Sequence, residues 1–255
     1  MGGVFWPLLS SNKGRMPKLI VAFPFSGRYV PPEWALAISG WKFPQNTSCD
    51  LVMIKGVKRD VARNTLAKKA VASGAEYMLF LDDDTAPPPN TITALMAHLD
   101  TSDEDVAVCG GIYTTKSDPV EPLVYKGPGM GPFWRWKFGE VFPCWGIGTG
   151  CMMIRLSSLS KIPEPWFRDI PTAKDVDDSV KNLYDGDLTE TFCMGDDLYF
   201  CNKLAQAGLK VHAHGGVLPV HWDQEGKGFV LPYGSYPLKD VPLDRLWYSN
   251  HIKQG

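Results

Sequence analysis

Short apolar runs alternate with amphipathic segments along most of the chain. The runs are rich in β-branched and aromatic residues and end at glycine or polar residues, which is typical of strands. The predicted strands are residues 18–25, 49–56, 77–82, 106–113, 150–156 and 210–215. The predicted helices are residues 31–41, 60–74, 90–100 and 196–208. Repeated strand–helix units predict an α/β fold with a mostly parallel sheet and helices on both faces.

The ends of the helix predicted at 60–74 are indicated by the residues at its two boundaries. Asp60 is a preferred N-cap residue, and Gly74 is a typical helix stop. Val61, Leu66 and Ala70 are spaced for one helical face, which we expect to be buried.

Three consecutive carboxylates, Asp82, Asp83 and Asp84, come directly after the third predicted strand. Adjacent anions raise one another's pKa unless a cation or several N–H donors compensate. In parallel sheets, ligands bind outside the carboxyl ends of the strands, so this position favours a function such as metal binding. The alternative is that one aspartate caps the next helix, but Asn90 already stands at that cap position.

A second acidic pair, Asp196 and Asp197, opens the last predicted helix. Backbone dipoles at a helix N-terminus favour ionised carboxylates. Simple helix capping by both acids is the alternative interpretation.

Four blocks, in this order, resemble nucleotide-sugar glycosyltransferases with the GT-A fold, specifically the large inverting family, family 2. The blocks are "RDVARNTLAKKAVASGAEYMLFLDDDTAPPP", "VCGGIYTTK", "GIGTGCMMIRLSSLSKIPEPWF" and "MGDDLYFCNKLAQAGLKVHAHGGVLPVHW". An Asp-x-Asp motif alone is common, whereas four ordered blocks are a more specific signal. The resemblance implies a Rossmann-like, mostly parallel sheet flanked by helices in a single domain.

The resemblance also implies a division of the chain. Residues 1–17 are expected to be a loosely ordered leader, and residues 18–222 the glycosyltransferase domain. Within it, 18–115 is the nucleotide-binding half and 116–222 the acceptor-side half. Residues 223–255 are expected to form a C-terminal tail packed on the domain.

By resemblance, the activity is metal-dependent transfer of a sugar from a nucleoside diphosphate, expected to be a UDP-sugar, to an acceptor hydroxyl with inversion. Asp84 is the implied ligand of Mn²⁺ or Mg²⁺, and His221 is the implied second ligand. Imidazole with carboxylate favours Mn²⁺. His212 and His214 share a strand face and offer a competing metal pair, although no carboxylate lies beside them in the sequence.

The remaining site residues are also implied by the resemblance. Asp82 is expected at the ribose or uracil, and Arg63 at the diphosphate or at a carboxylate of the triplet. The full set of expected nucleotide contacts is Pro24, Phe25, Ser26, Arg63, Asp82 and Asp83. Gly148 and Gly150 are expected to let the backbone pass close to the sugar.

Catalysis is expected at the second acidic pair. Asp197 is the implied general base, which takes the proton of the acceptor hydroxyl. Asp196 stands where the family usually has glutamate, so its role is less defined.

Two further segments have open roles. Residues 127–145 concentrate aromatic side chains and form either a loop packed on the core or a platform for the acceptor. Residues 162–192 have little periodicity, and we expect a surface excursion or lid.

Two other functions are alternatives to this resemblance. A haloacid-dehalogenase-like phosphatase also has Asp-x-Asp after a strand, but its signature requires Thr or Val at the position of Ala86. A sugar-binding module without catalysis is the non-enzymatic alternative. The acceptor is open: a saccharide, a small molecule or a hydroxymethylated base in phage DNA.

Composition agrees with an ordinary globular protein. The 255 residues include 26 Lys and Arg against 28 Asp and Glu, so a net charge of −2 gives little support to DNA binding. Six cysteines without a C-x-x-C pair predict reduced, buried thiols in a cytoplasmic protein. No apolar run approaches the ~20 residues of a transmembrane helix. The oligomeric state stays open.

Overall fold

The structure, a computed structural model, describes residues 19–27, 30–181, 193–223 and 225–230. Its strands are β1 (Leu19–Phe25), β2 (Cys49–Lys55), β3 (Tyr77–Leu81), β4 (Thr85–Ala86), β5 (Val106–Gly111), β6 (Val124–Tyr125), β7 (Val141–Cys144), β8 (Gly146–Ile147), β9 (Cys151–Arg155), β10 (Lys210–His214), β11 (Val220–Trp222) and β12 (Gly228–Phe229). Its helices are α1 (Pro32–Ser39), α2 (Arg59–Ala72), α3 (Thr91–Thr101), α4 (Asp178–Lys181), α5 (Asp196–Gln206) and two 3₁₀ helices, Leu156–Lys161 and Ala173–Asp175. Every strand and helix predicted from the sequence is present.

The described residues form a central seven-stranded sheet with the order β2-β1-β3-β9-β5-β10-β7. Strands β2, β1, β3, β5 and β10 run in one direction, while β9 and β7 run in the other. The prediction of a mostly parallel sheet in a single α/β domain is therefore confirmed. The antiparallel β9 lies between β3 and β5, an order that the strand pattern did not predict.

Strand β3 shows how the two faces of the sheet are covered. Met78 and Phe80 point to a core that contains residues of α2 and α5, such as Leu66 and Phe200. Leu79 and its alternate neighbours point to the other core, against α1 and α3. Because successive side chains of a strand alternate between faces, a wholly apolar strand must be covered on both sides. Each fully buried apolar side chain contributes about 1.5–3 kcal/mol.

Helix α2 differs in detail from the sequence prediction. It begins at Arg59, so Lys58 rather than Asp60 is the N-cap residue. Val61, expected on the buried face, is 51% exposed, whereas Arg63 is 2% exposed. The helix is rotated so that Arg63 faces buried carboxylates, which apolar spacing alone does not indicate. Gly74 follows the helix with φ +72°, as expected for a helix stop.

A small three-stranded sheet, β12-β11-β4, stands beside the end of β3. Strand β11 pairs antiparallel with β4, and His221 is opposite Thr85. The N–H of Trp222 donates to the carbonyl of Asp84 at 2.7 Å. This pairing brings His221 next to the acidic triplet.

The two segments with open roles both contribute to the core. Trp136 and Phe142 are buried and stack with ring centroids 6.1 Å apart, so the aromatic segment is packed on the core at these residues. Phe167 and Ile170 are each 1% exposed, which corrects the expectation of a surface excursion at the start of 162–192. Residues 182–192 of the expected lid lie outside the described residues.

Other expectations concern cysteines, membranes and the chain ends. All six cysteines are unpaired, with Cys109, Cys151 and Cys201 buried and Cys193 exposed. Within the described residues, no helix has the length and apolar character needed to cross a bilayer. The expected leader, 1–17, and most of the expected tail lie outside the described residues.

Candidate active site

The candidate site lies where β1 and β3 end. Ser26, which follows β1, donates from its backbone N–H and its hydroxyl to Oδ2 of Asp83, both at 2.8 Å. Burial raises the pKa of Asp83, although these two hydrogen bonds oppose the shift. Pro24 is buried within β1, and the ring of Phe25 packs against Trp34 at 5.5 Å. Of the three expected contacts in this segment, Ser26 is the one with hydrogen bonds to the acidic triplet.

Arg63 joins the two acidic motifs. Its Nη2 donates to both carboxylate oxygens of Asp82 at 2.8 Å, and its Nη1 donates to both oxygens of Asp196 at 2.7 and 2.6 Å. The sequence left two partners open for Arg63, the diphosphate and a carboxylate of the triplet. The structure shows the carboxylate, that of Asp82. The guanidinium is buried, so the other expected partner, the diphosphate, has no direct access to it. Asp82 is likewise engaged by Arg63, and its expected contact to the nucleotide stays a prediction.

Asp196 is a buried, fully bonded carboxylate. Besides Arg63, Nε of Arg59 lies 3.1 Å from its Oδ1. The backbone N–H of Asp196 donates to Asp169 Oδ1 at 3.2 Å, which satisfies one free donor at the start of α5. With 1% of its side chain exposed, Asp196 holds α5 against α2 and positions the residue that follows.

Asp197 differs from its neighbour because it is only half-buried and carries no direct ion pair in the described part of the chain. Its Oδ1 accepts a hydrogen bond from the N–H of Leu198 at 2.8 Å. Burial raises the pKa of Asp197, and the charge of Asp196 adds to this shift while Arg63 opposes it. A Cβ on Gly195 would stand 2.6 Å from the same oxygen, so a larger residue there would displace the carboxylate of Asp197. Asp197 is an ionisable carboxylate positioned at the helix start.

Asp84 faces a cation and an imidazole. Lys116 Nζ lies 2.5 Å from its Oδ2, and His221 Nε2 lies 3.4 Å from its Oδ1. Burial would raise the pKa of Asp84, but His221 and Lys116 hold it well below its usual range. His221 Nδ1 lies 2.6 Å from the carbonyl oxygen of Thr114. Because a carbonyl only accepts, Nδ1 carries a hydrogen, which leaves Nε2 as the ring nitrogen that faces Asp84 and is available to a metal ion.

This pair of donors fits a divalent cation. Two atoms 3.4 Å apart both reach one ion at metal–ligand distances of about 2.1 Å. A hydrogen bond from the second imidazole nitrogen to a carbonyl is the usual support of a metal-binding histidine. The described residues contain no group of three or more His, Cys, Asp or Glu able to hold a metal. Asp84 and His221 therefore fit an ion that takes its other ligands from phosphates and water.

The competing histidine pair is engaged elsewhere. His212 Nδ1 lies 2.8 Å from His98 Nε2, and His214 Nδ1 accepts the N–H of Gly216 at 3.1 Å. Burial lowers the pKa of both His212 and His214. These contacts favour a structural role for the pair.

Gly148 and Gly150 make room for a tyrosine. A Cβ on Gly150 would lie 2.7 Å from the hydroxyl oxygen of Tyr113, and the same ring fills the space beside Gly148. The N–H of Gly150 donates to that hydroxyl at 2.9 Å. The close approach expected at a sugar is thus made to Tyr113, whose ring packs edge-on against His221 at 5.2 Å.

Several site residues were missed by the sequence reasoning. Arg59 and Asp169 both contact Asp196. Thr114 contacts His221, and Lys116 contacts Asp84. Lys116 stands at the end of the block "VCGGIYTTK", so its presence in a matching block was the only available signal.

Comparisons with known proteins point to one class. Residues 53–162 match the family model described as Glycosyl transferase family 2. Curated proteins give no match. The solved structure of A197 from STIV has a TM-score of 0.54 at 16% identity, over 84% of this chain and 94% of that chain. GalNAc-T7, solved with UDP, GalNAc and Mn²⁺, has a TM-score of 0.50 at 10% identity, over 80% of this chain but only 44% of that chain.

At these identities the two structures establish the fold, and the family match carries the activity. The mixed sheet with flanking helices is that of the GT-A fold. The protein is a glycosyltransferase with the GT-A fold, and residues 53–162 are the part of it that resembles family 2. This identification takes the place of the phosphatase and the non-catalytic sugar-binding module.

Proposed function

We propose that this glycosyltransferase moves a sugar from a UDP-sugar to an acceptor hydroxyl, with Mn²⁺ or Mg²⁺ as cofactor and with inversion at the anomeric carbon. The observation that carries the proposal is the Arg63 cross-link. It fixes the triplet containing Asp84 against the helix start containing Asp197, which supports a shared site formed by the two acidic motifs. GalNAc-T7, a structural neighbour solved with UDP and Mn²⁺, supports the choice of nucleotide and metal.

Asp84 and His221 would hold the metal ion, and Thr114 orients the imidazole. When bound, the ion supplies positive charge that stabilises the diphosphate as it leaves. Ser26, at the end of β1, stands where the fold receives the nucleotide. Its hydrogen bonds to Asp83 hold the end of β1 against the acidic triplet.

Asp197 is the proposed general base. The acceptor oxygen attacks the anomeric carbon and loses its proton to Asp197, while the bond from sugar to diphosphate breaks and its electron pair leaves with the diphosphate. A carboxylate with a raised pKa is better matched to this proton transfer near neutral pH than an ordinary aspartate. Arg63 and Asp196 position this base without touching the substrate.

A donor screen tests the proposal without knowledge of the acceptor, because water serves as a slow acceptor hydroxyl. The protein is incubated with UDP-, GDP- and CMP-sugars, with Mn²⁺ or with EDTA, and released nucleotide is measured by mass spectrometry. We expect UDP release only with the metal. Full activity in excess EDTA would contradict the metal, tighter binding of GDP or CMP would contradict the donor, and a product of retained configuration would contradict the base.

A further inference from the structure

Lys116 lies on a closed loop that follows β5. The N–H of Thr115 donates to the carbonyl of Glu121 at 2.8 Å, and the N–H of Glu121 returns to the Thr115 hydroxyl at 3.0 Å. These bonds fix the backbone beside Asp84. The lysine side chain has four rotatable carbons and is 29% exposed, so it can change direction while the loop keeps its conformation.

The ammonium of Lys116 and a metal ion would compete for one carboxylate. Lys116 contacts Oδ2 of Asp84, and His221 stands at Oδ1. A partly exposed ion pair of this kind is weak, so a divalent cation would displace the ammonium at little cost. The displaced ammonium would remain close to a diphosphate held by a cation at Asp84, because Lys116 starts from contact with that carboxylate.

We propose that Lys116 is a second diphosphate-binding group, which neutralises Asp84 when no metal is bound and turns to the donor's diphosphate when the metal takes Asp84. This inference rests on the proposed function, because it requires a metal-bound nucleotide at Asp84. Lys116 thus supplies positive charge to the leaving group in addition to that of the ion.

Removing the charge has opposite effects on the two ligands. With Lys116→Met, Mn²⁺ alone no longer competes with an ammonium, so its affinity rises by up to about fivefold. UDP at saturating Mn²⁺ loses a charge-assisted hydrogen bond, so its affinity falls by about tenfold or more. A merely structural role of the lysine would weaken both ligands together.

Titration calorimetry with Mn²⁺ alone, and then with UDP at saturating Mn²⁺, tests this on the full chain. The variants are Lys116→Met and Lys116→Arg, the second of which keeps the charge and retains most of the UDP affinity. The matched control is Lys210→Met. Lys210 begins β10 at the opposite edge of the sheet, and its Nζ lies 2.6 Å from Oδ2 of Asp105. Breaking this pair is expected to change neither affinity.

The two-way change in Lys116→Met, with Mn²⁺ tighter and UDP weaker, would support the proposal. An unchanged Mn²⁺ affinity, an unchanged UDP affinity, or a loss of both would each overturn it. Failure of the proposed function has a different signature, since the wild-type protein itself would then bind no UDP with Mn²⁺.

Discussion

Nη1 of Arg63 and Oδ2 of Asp196 lie 2.6 Å apart, and both side chains are almost completely removed from solvent. The two residues are 133 positions apart in the chain. Because the same guanidinium also holds Asp82, one buried cation joins the acidic triplet after β3 to the acidic pair that begins α5. The spacing of the two acidic motifs in space is therefore set by a single side chain.

Arg63→Met is expected to lower the free energy of unfolding by about 3–5 kcal/mol, because it removes the cation paired with Asp82 and leaves the buried Asp196 with Arg59 alone. Urea denaturation measures this change. The control is Arg168→Met, which breaks a half-exposed pair with Asp177 and is expected to cost about 1 kcal/mol or less. Equal losses in the two variants would contradict a special role of the buried pair.

Asp84→Asn is expected to lower the rate of metal-dependent donor hydrolysis by about 100-fold or more. The reason is that the ion loses the charged member of its proposed ligand pair, Asp84 and His221. The free energy of unfolding changes by about 1 kcal/mol or less, because the Lys116 pair is partly exposed. Hydrolysis is followed across a range of Mn²⁺ concentrations, with Asp105→Asn as the control. Activity that persists at low Mn²⁺ would remove Asp84 from the metal site.

Asp197→Asn is expected to slow transfer by about 10²–10⁴-fold, the usual contribution of a general base, while the affinity for UDP and Mn²⁺ is retained. Product release and calorimetry on the same preparation separate the two effects. Normal turnover of the variant would refute Asp197 as the base. Loss of UDP affinity together with turnover would assign it to the donor pocket instead.

The raised pKa of Asp197 also predicts a pH-dependent stability difference. The folded state binds this proton more tightly than the unfolded chain, so the wild-type protein loses stability as pH rises from the ordinary aspartate range through the raised pKa. Asp197→Asn removes that penalty. The variant is expected to be more stable than the wild-type protein at neutral pH, with a difference that vanishes below about pH 3.9. Thermal melts at several pH values measure it; a difference that is independent of pH would contradict the shift.

Local patterns were enough to locate the elements and the acidic motifs. Short apolar runs that end at glycine or aspartate, such as the run before Asp82, indicate strands. Asp82 to Asp84 follow β3 and Asp196 begins α5, as their positions in these patterns predicted. The sequence therefore determined the α/β class, the order of elements along the chain and the edge of the sheet that carries the acids.

Only the tertiary structure decided which of these acids are paired and which are free. Arg63 meets Asp196, and Lys116 meets Asp84, through contacts between residues that are far apart in the chain. The insertion of antiparallel β9 between β3 and β5 is of the same kind. Such pairings depend on how the helices pack on the two faces of the sheet. Each contact forms only when distant segments pack together, so the residues near it in the sequence do not reveal it.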